Sequence, residues 1–185
     1  LLAFGIAAAL VERASSGKGQ VIDAAMVDGA STLMGFFHAM LAMGAWGGER
    51  GTNILDTGAH YYETYETRDG LYISLGSIEP QFYAELIEKL GLDPKTLPSQ
   101  NDRSKWPEMK ERFEAIFKTK TRDEWCALME GTDICFATVL SMKEVAKHPH
   151  LAFRSTYVEK HGLTQPAPSP RFSRTPAELD RPPAR

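Results

Sequence analysis

The stretch LYISLGSIEPQFY, residues 71–83, decides the fold that we expect of this chain. Its first five residues are an apolar run with the length and composition of a buried strand. Pro80 then suits the first position of a helix, where the N–H that proline lacks would have no partner in any case. Phe82, Leu86 and Leu90 fall on one face of an amphipathic pattern that continues the helix. The stretch therefore predicts a strand that leads directly into a helix.

A β-hairpin is predicted on the N-terminal side of this stretch. Residues 61–67 alternate aromatic and polar side chains, and residues 68–70, Arg-Asp-Gly, have the composition of a turn. Because the next run is the strand at residues 71–75, the two runs are expected to pair across that turn.

More helices and a strand are predicted on the C-terminal side. The periodicity indicates amphipathic helices at residues 106–118 and 121–130. A strand-like run at 134–140 follows, and then a short helix that begins at Ser141 with Glu144 in the capping-box position. These elements together predict a small α+β domain.

The chain opens on the apolar run LLAFGIAAAL, residues 1–10, which predicts a helix ending at Gly17. A helix this apolar needs cover on several sides. It is either a core helix of a complete domain or, as we favour, a helix that belongs to a larger one. Residues 20–25 fit a short strand or a strand-to-helix junction. Residues 26–46 fit a long apolar helical segment, and residues 44–58 a loop.

The C-terminal part of the sequence has a different composition. Residues 163–185 hold six of the chain's eleven prolines together with Arg171, Arg174, Arg181 and Arg185. Such a segment does not form long regular elements. It is expected to be an extended arm lying on another surface, or a linker.

Composition and charge exclude several classes of protein. The 185 residues carry a net charge of -3, which argues against nucleic acid as the main partner. Two cysteines do not make a disulfide scaffold. The opening apolar run is too short for a membrane span and lacks the basic segment that precedes a signal sequence. We expect a cytoplasmic protein with neither a membrane span nor a nucleic-acid partner.

Glu79 is the most informative acidic residue, since it lies where the predicted strand gives way to the predicted helix. Side chains at the carboxyl end of a strand often face a binding crevice. The first turn of a helix also favours a carboxylate through the helix dipole, so Glu79 could equally be an ordinary helix-start acid. The sequence has no nucleophile elbow and no dinucleotide fingerprint. The patterns alone leave both interpretations open.

Other polar residues fit structural roles better than catalytic ones. Asp56 lies in a Gly- and Asn-rich loop and is expected to stabilise a turn. His148 and His150 could hold a metal, but no third ligand stands at a suitable spacing, which favours a surface pair. His38 is expected to be buried or to line a surface. The Met-rich segment at 26–43 fits either a packed core helix or an adaptable apolar surface for an acyl chain.

Several strings are more specific than these patterns. In order they are GKGQVID at 17–23, DTGAHYY at 56–62, IEPQFY at 78–83, GTD at 131–133 with Cys135, EV at 144–145 with HPH at 148–150, and PSPRFSRT at 168–175. Together they resemble the α-methylacyl-CoA racemases of the family III CoA-transferase group. The resemblance extends over essentially the whole chain without a large insertion.

The resemblance implies an interlocked homodimer in which each subunit has a large Rossmann-like CoA-binding domain and a small α+β domain. It implies that residues 1–46 are a helical part of the large domain and a linker, and that residues 47–70 are linker and the start of the small domain. Residues 71–150 would form the small domain, and residues 151–185 a Pro-rich return to the large domain. The chain would then be roughly the C-terminal half of a subunit.

The resemblance also implies the reaction and its residues. Family members exchange the configuration at the carbon beside the thioester carbonyl of a 2-methylacyl-CoA, using a His supported by a Glu on one face and an Asp on the other. They need no metal, pyridoxal or flavin. Only the Glu is found in this chain, as Glu79, and the His and Asp would lie upstream of Leu1. The residues that match the acyl-binding surface are Met26, Met34, Met40, Met43, Leu55, Tyr62 and Ile78.

Three positions depart from the pattern of the family. Thr57 stands where relatives usually carry Gly, His60 where they usually carry Pro, and Thr138 where Pro is usual. His60 could therefore alter the preference for the acyl chain. Two further hypotheses stay open: a CoA-transferase that forms acyl-enzyme intermediates on a carboxylate, and an isolated chain that is an inactive dimerising fragment.

Overall fold

The computed structural model describes residues 1–181, which form two compact units: Leu1–Asp56, and the part of the chain from Thr57 onward. The first unit contains the helices α1 (Leu2–Ser16), α2 (Met26–Leu33) and α3 (Gly35–Ala42). None of the residues in these helices is buried. Within the described residues, no helix combines the length and the apolar character that crossing a membrane requires.

Helix α1 ends where the sequence predicts. Gly17 follows it with φ 73, a left-handed conformation that glycine adopts without steric cost, and its N–H donates to the carbonyl of Arg13. Residues 20–25 were expected to form a short strand or a strand-to-helix junction. They form neither a strand nor a helix, and α2 begins directly after them at Met26.

The long helix expected at residues 26–46 is interrupted at Met34, so α2 and α3 are separate helices. Two hydroxyls of α2 bond back to carbonyls one turn earlier, Ser31 to Val27 at 2.8 Å and Thr32 to Asp28 at 2.9 Å. Such bonds bend helices, and Gly35 directly after the break is a weak helix former. The two hydroxyl-to-carbonyl bonds and Gly35 therefore account for the break in a segment whose apolar composition favours one continuous helix.

The second unit is built on a three-stranded antiparallel sheet in the order β1 (Thr64–Glu66), β2 (Tyr72–Leu75), β3 (Phe136–Val139). Tyr65 pairs with Ile73, and Ile73 with Thr138 on the other side. The predicted hairpin is confirmed, and Gly70 turns it with φ 74. The small mixed α and β fold expected from the sequence is thus observed.

Three helices accompany this sheet: α4 (Pro80–Lys89), α5 (Trp106–Phe117), which contacts β1, and α6 (Arg122–Met129), which contacts β3. Their predicted positions are confirmed, but α4 buries Tyr83, Leu86 and Ile87 rather than the stripe of Phe82, Leu86 and Leu90. The core is largely aromatic. Its fully buried side chains include Tyr61, Tyr65, Ile73, Met109, Phe113, Phe117, Trp125 and Met129.

A buried arginine ties the start of α6 to the end of β3. Arg122 is only 9% exposed, donates to the carbonyl of Val139 at 3.1 Å and pairs with Glu144 at 2.6 Å. This pairing, followed by a bond from the Ser141 N–H, lowers the pKa of Glu144 to about 2. Only the Glu144 half of the predicted capping box is formed, and a 3-10 turn, Val145–Lys147, follows in place of an α-helix.

The remainder of the second unit contains α7 (Pro149–Phe153) and a hairpin of β4 (Tyr157–Lys160) with β5 (Leu163–Pro166). The sequence did not predict this hairpin, since the run before the Pro-rich segment has no clear alternation. From residue 167 to residue 181 the chain forms no helix or strand. The absence of long regular elements in this segment agrees with its composition.

Candidate functional site

The link between β2 and α4 is held on both sides by backbone bonds. The Gly76 N–H donates to the carbonyl of Cys135 at 2.9 Å, and the Ser77 N–H donates to the carbonyl of Tyr61 at 3.1 Å. Ser77 is completely buried, and its hydroxyl donates to the carbonyl of Ile134. These bonds hold the backbone of the link in place, so Glu79, two residues after Ser77, has a fixed position.

Glu79 occupies the N-cap position of α4 with φ -71 and ψ 139, and its side chain makes no capping bond. Its carboxylate is exposed and forms neither a hydrogen bond nor an ion pair with any residue that the structure describes. A helix-start acid with a structural role would accept a bond from the first turn. The Glu79 side chain therefore does not cap α4 with a hydrogen bond, and its role in catalysis stays a prediction.

A cleft of about 320 Å³ lies beside this link, and we call it the β2 cleft. Tyr62, Gly76 and Cys135 line it, together with Thr57, Glu63, Thr64, Ser74 and Leu75. Burial first, and then the charges of Glu79 and Asp133, raise the pKa of the Cys135 thiol. Glu79 itself does not line the cleft, but its charge contributes to the raised pKa of a residue that does.

Lys110 contacts two of the residues that line the β2 cleft. Its ammonium pairs with Glu63 at 2.6 Å and also donates to the carbonyl of Thr57. Both carboxylate and ammonium are mostly withdrawn from solvent, with side-chain exposures of 18% and 26%. No local sequence pattern signals the role of Lys110, because its partners lie about fifty residues away in the chain.

Thr57 has φ 70, in the left-handed region that β-branched residues avoid. We expect Thr57→Gly to raise the free energy of unfolding by about 1 kcal/mol, since the relief of left-handed strain exceeds the added chain entropy of glycine. Urea unfolding of the 185-residue chain measures the change. Thr57→Ala keeps a Cβ and should gain less, so a T57G protein no more stable than T57A would contradict the strain.

The acyl-surface candidates are divided between the two units. Met26 and Met43 are 92% and 80% exposed, Met34 is 46% exposed, and Met40 is half-buried. Leu55 lies half-buried in the 3-10 turn Ile54–Asp56, so all five belong to the first unit. Tyr62 and Ile78 are half-buried in the second unit. Their roles in binding an acyl chain stay predictions.

Asp56 has the structural role that the sequence favours. Its carboxylate accepts bonds from the N–H of Gly51 at 3.1 Å, from the N–H of Asn53 at 2.7 Å and from the amide of Asn53 at 2.8 Å. Asn53 is itself buried and bonds to Gly47. The carboxylate therefore organises the loop before β1.

The histidines are not gathered into a site. His38 is exposed, so it is not buried, and a role in lining a surface stays a prediction. His60 is 1% exposed in the core, which removes the basis for contact with an acyl chain. His148 is half-buried and His150 is exposed, and within the described residues no group of His, Cys, Asp and Glu could hold a metal ion.

The second unit is thus a mixed α and β structure with a cleft beside its sheet. Glu79 lies uncapped where β2 leads into α4. The whole chain, residues 1–185, matches CoA-transferase family III, and the protein belongs to that family. It is similar in structure to a CAIB/BAIF family protein from Brucella suis, with a TM-score of 0.74 at 22% identity over 98% of this chain and 49% of that one.

Sequence relatives are more similar than this structural neighbour. The chain is 47% identical over 174 residues to alpha-methylacyl-CoA racemase of Mus musculus, covering 94% of this chain and 46% of the relative. It is 43% identical over 178 residues to alpha-methylacyl-CoA racemase of Homo sapiens, covering 96% and 47%. The chain thus spans about half the length of these relatives.

Proposed function

We propose that this chain is part of an enzyme that interconverts the (2R) and (2S) forms of 2-methylacyl-CoA thioesters. The identity of 43–47% to two alpha-methylacyl-CoA racemases supports this activity. The observation within the chain that carries it is the exposed, uncapped carboxylate of Glu79 on a rigid strand-to-helix link.

The reaction requires two protein groups on opposite faces of the substrate. The C–H bond beside a thioester carbonyl is a very weak acid, so its proton leaves only to a positioned base while the carbonyl oxygen takes up the negative charge. The enolate-like intermediate then receives a proton from the other face, which inverts the configuration without net gain or loss of atoms. Neither a metal nor an organic cofactor is needed for these two proton transfers.

Glu79 is proposed to support the base on one face. A carboxylate beside an imidazole orients the ring and stabilises the imidazolium that forms when the ring takes the proton. In this proposal the base is a His on the same face as Glu79, and an Asp acts on the other face. Both come from a region of the protein that precedes Leu1. The isolated chain should therefore lack activity.

The residues proposed to contact the acyl chain, in an interlocked homodimer, are Met26, Met34, Met40, Met43, Leu55, Tyr62 and Ile78. Methionine side chains adapt to apolar groups of different shape, and the exposure of Met26, Met34 and Met43 supports a surface that a ligand or another subunit covers.

Exchange with deuterated water tests the proposed reaction. A single epimer of a 2-methylacyl-CoA is incubated with the longer protein, and with the 185-residue chain as the matched control. Deuterium should enter the α position together with loss of configuration in the first sample only. A CoA-transferase, the alternative within the family, would instead move CoA to a second carboxylic acid without α exchange. That outcome would overturn the racemase, and exchange by the chain alone would overturn its division of the catalytic groups.

A further inference from the structure

A second cavity in the second unit has a different chemical character from the β2 cleft. It lies between the end of α7 and the segment that follows β5, and its volume is about 590 Å³. The polar side chains that line it are those of His150, Arg154, Thr156, Ser169 and Arg171. We call it the basic cavity, because its lining holds two arginines and no carboxylate.

The positive charge of the basic cavity is not compensated within the described residues. Neither Arg154 nor Arg171 takes part in any of their ion pairs, which all involve other cations. The chain as a whole carries a net charge of -3, whereas the lining of this cavity holds two guanidiniums and no carboxylate. Such a concentration of charge attracts anions to a concave site.

The backbone positions one of the two guanidiniums. Nη2 of Arg171 donates to the carbonyl of Ser155 at 2.9 Å, next in sequence to Arg154. Ser155 adopts φ 49, a left-handed conformation that is uncommon for a residue other than glycine. A guanidinium has five N–H donors, so this bond to Ser155 leaves most donors of Arg171 for a ligand.

We propose that the basic cavity binds a phosphate group. Two guanidiniums present planar pairs of N–H donors that match the oxygens of a phosphate, whereas an isolated ammonium offers only a point charge. Thr156 and Ser169 add hydroxyl donors at the same cavity. A cation would be repelled, and a monocarboxylate offers too few oxygens to engage both arginines and the hydroxyls.

Titration of the 185-residue chain with inorganic phosphate, followed by calorimetry or by NMR shifts, tests the site. Arg154→Ala and Arg171→Ala should each weaken binding by about 10- to 100-fold, the effect of losing one charge-assisted hydrogen bond. Arg174→Ala is the matched control, because Arg174 carries the same charge three residues further on and does not line the cavity. Its affinity should equal that of the unmodified protein.

Two sources of the phosphate group are distinguished by a second ligand, adenosine 3′,5′-bisphosphate, which carries phosphates of the kind found in CoA. Tighter binding of this nucleotide, with the same loss in R154A and R171A, would assign the cavity to a nucleotide phosphate. Equal or weaker binding would assign it to free phosphate. Binding of neither ligand, or an equal loss in R174A, would overturn the proposal. Because the measurement involves no turnover, failure of the racemase proposal would leave its result unchanged.

Discussion

Glu79→Gln in the longer protein should lower the turnover of a 2-methylacyl-CoA by about 10²- to 10⁴-fold, the range expected when a group of an acid–base pair is lost. The amide is nearly the same size as the carboxylate but cannot stabilise a neighbouring imidazolium. Because the Glu79 side chain is exposed and makes no capping bond, the melting temperature should stay unchanged. Steady-state kinetics and thermal unfolding measure both quantities.

A matched control is available on the same helix. Glu88 is also exposed on α4, more than two turns from the strand-to-helix link, so Glu88→Gln removes an equal charge at a different place. It should leave turnover within about twofold of the unmodified enzyme, as expected for an exposed charge in salt. Glu79→Asp should recover part of the activity, since it restores the charge with a shorter reach. A loss of stability in E79Q without a loss of turnover would show that Glu79 is structural.

The sequence predicted the elements whose signals are local. The hairpin depends on residues 68–70, and the position of Glu79 follows from the strand before it and from Pro80 after it. These features need only a few neighbouring residues, so propensity and turn chemistry are sufficient to locate them. The family resemblance then supplied the candidate role of Glu79, which its spacing alone left open.

What the sequence did not predict depends on contacts between distant residues. Lys110 meets Thr57 and Glu63 only after α5 has packed against the sheet, and no motif marks a lysine for that position. The left-handed conformation of Thr57 was not predicted either and is visible only in the structure. Likewise the basic cavity joins two segments separated by a hairpin that has no clear sequence signal.

The burial of His60 should make the folded protein less stable in mild acid. Its Nε2 lies 2.9 Å from the hydroxyl of Tyr83, and its ring packs edge-on against Tyr61, Tyr83 and Phe113. Nδ1 is buried without a partner among the described residues. Burial first, and then the charge of Lys110, lower the pKa of His60 from 6.5 to about 4. The folded protein therefore keeps this ring neutral where the unfolded chain would protonate it.

The direction of the pH dependence follows from these two values. Between pH 6.5 and pH 4 the unfolded chain binds more protons than the folded one, so the free energy of unfolding falls as the pH falls. The contribution of His60 is complete above pH 6.5 and decreases through this interval by as much as about 3 kcal/mol. Urea unfolding of the 185-residue chain across this range measures it.

The double variant His60→Phe, Tyr83→Phe isolates this contribution. It keeps two aromatic rings in the core, removes the titrating group and leaves no hydroxyl without its partner. Other acid-sensitive groups, such as Glu144 paired with Arg122, are the same in both proteins and cancel in the comparison. The stability difference between the two should therefore change by up to about 3 kcal/mol between pH 7 and pH 4. If the free energies of unfolding of the two proteins change in parallel between pH 7 and pH 4, His60 is protonated as readily in the folded protein as in the unfolded chain. The prediction of a neutral buried ring would then be wrong.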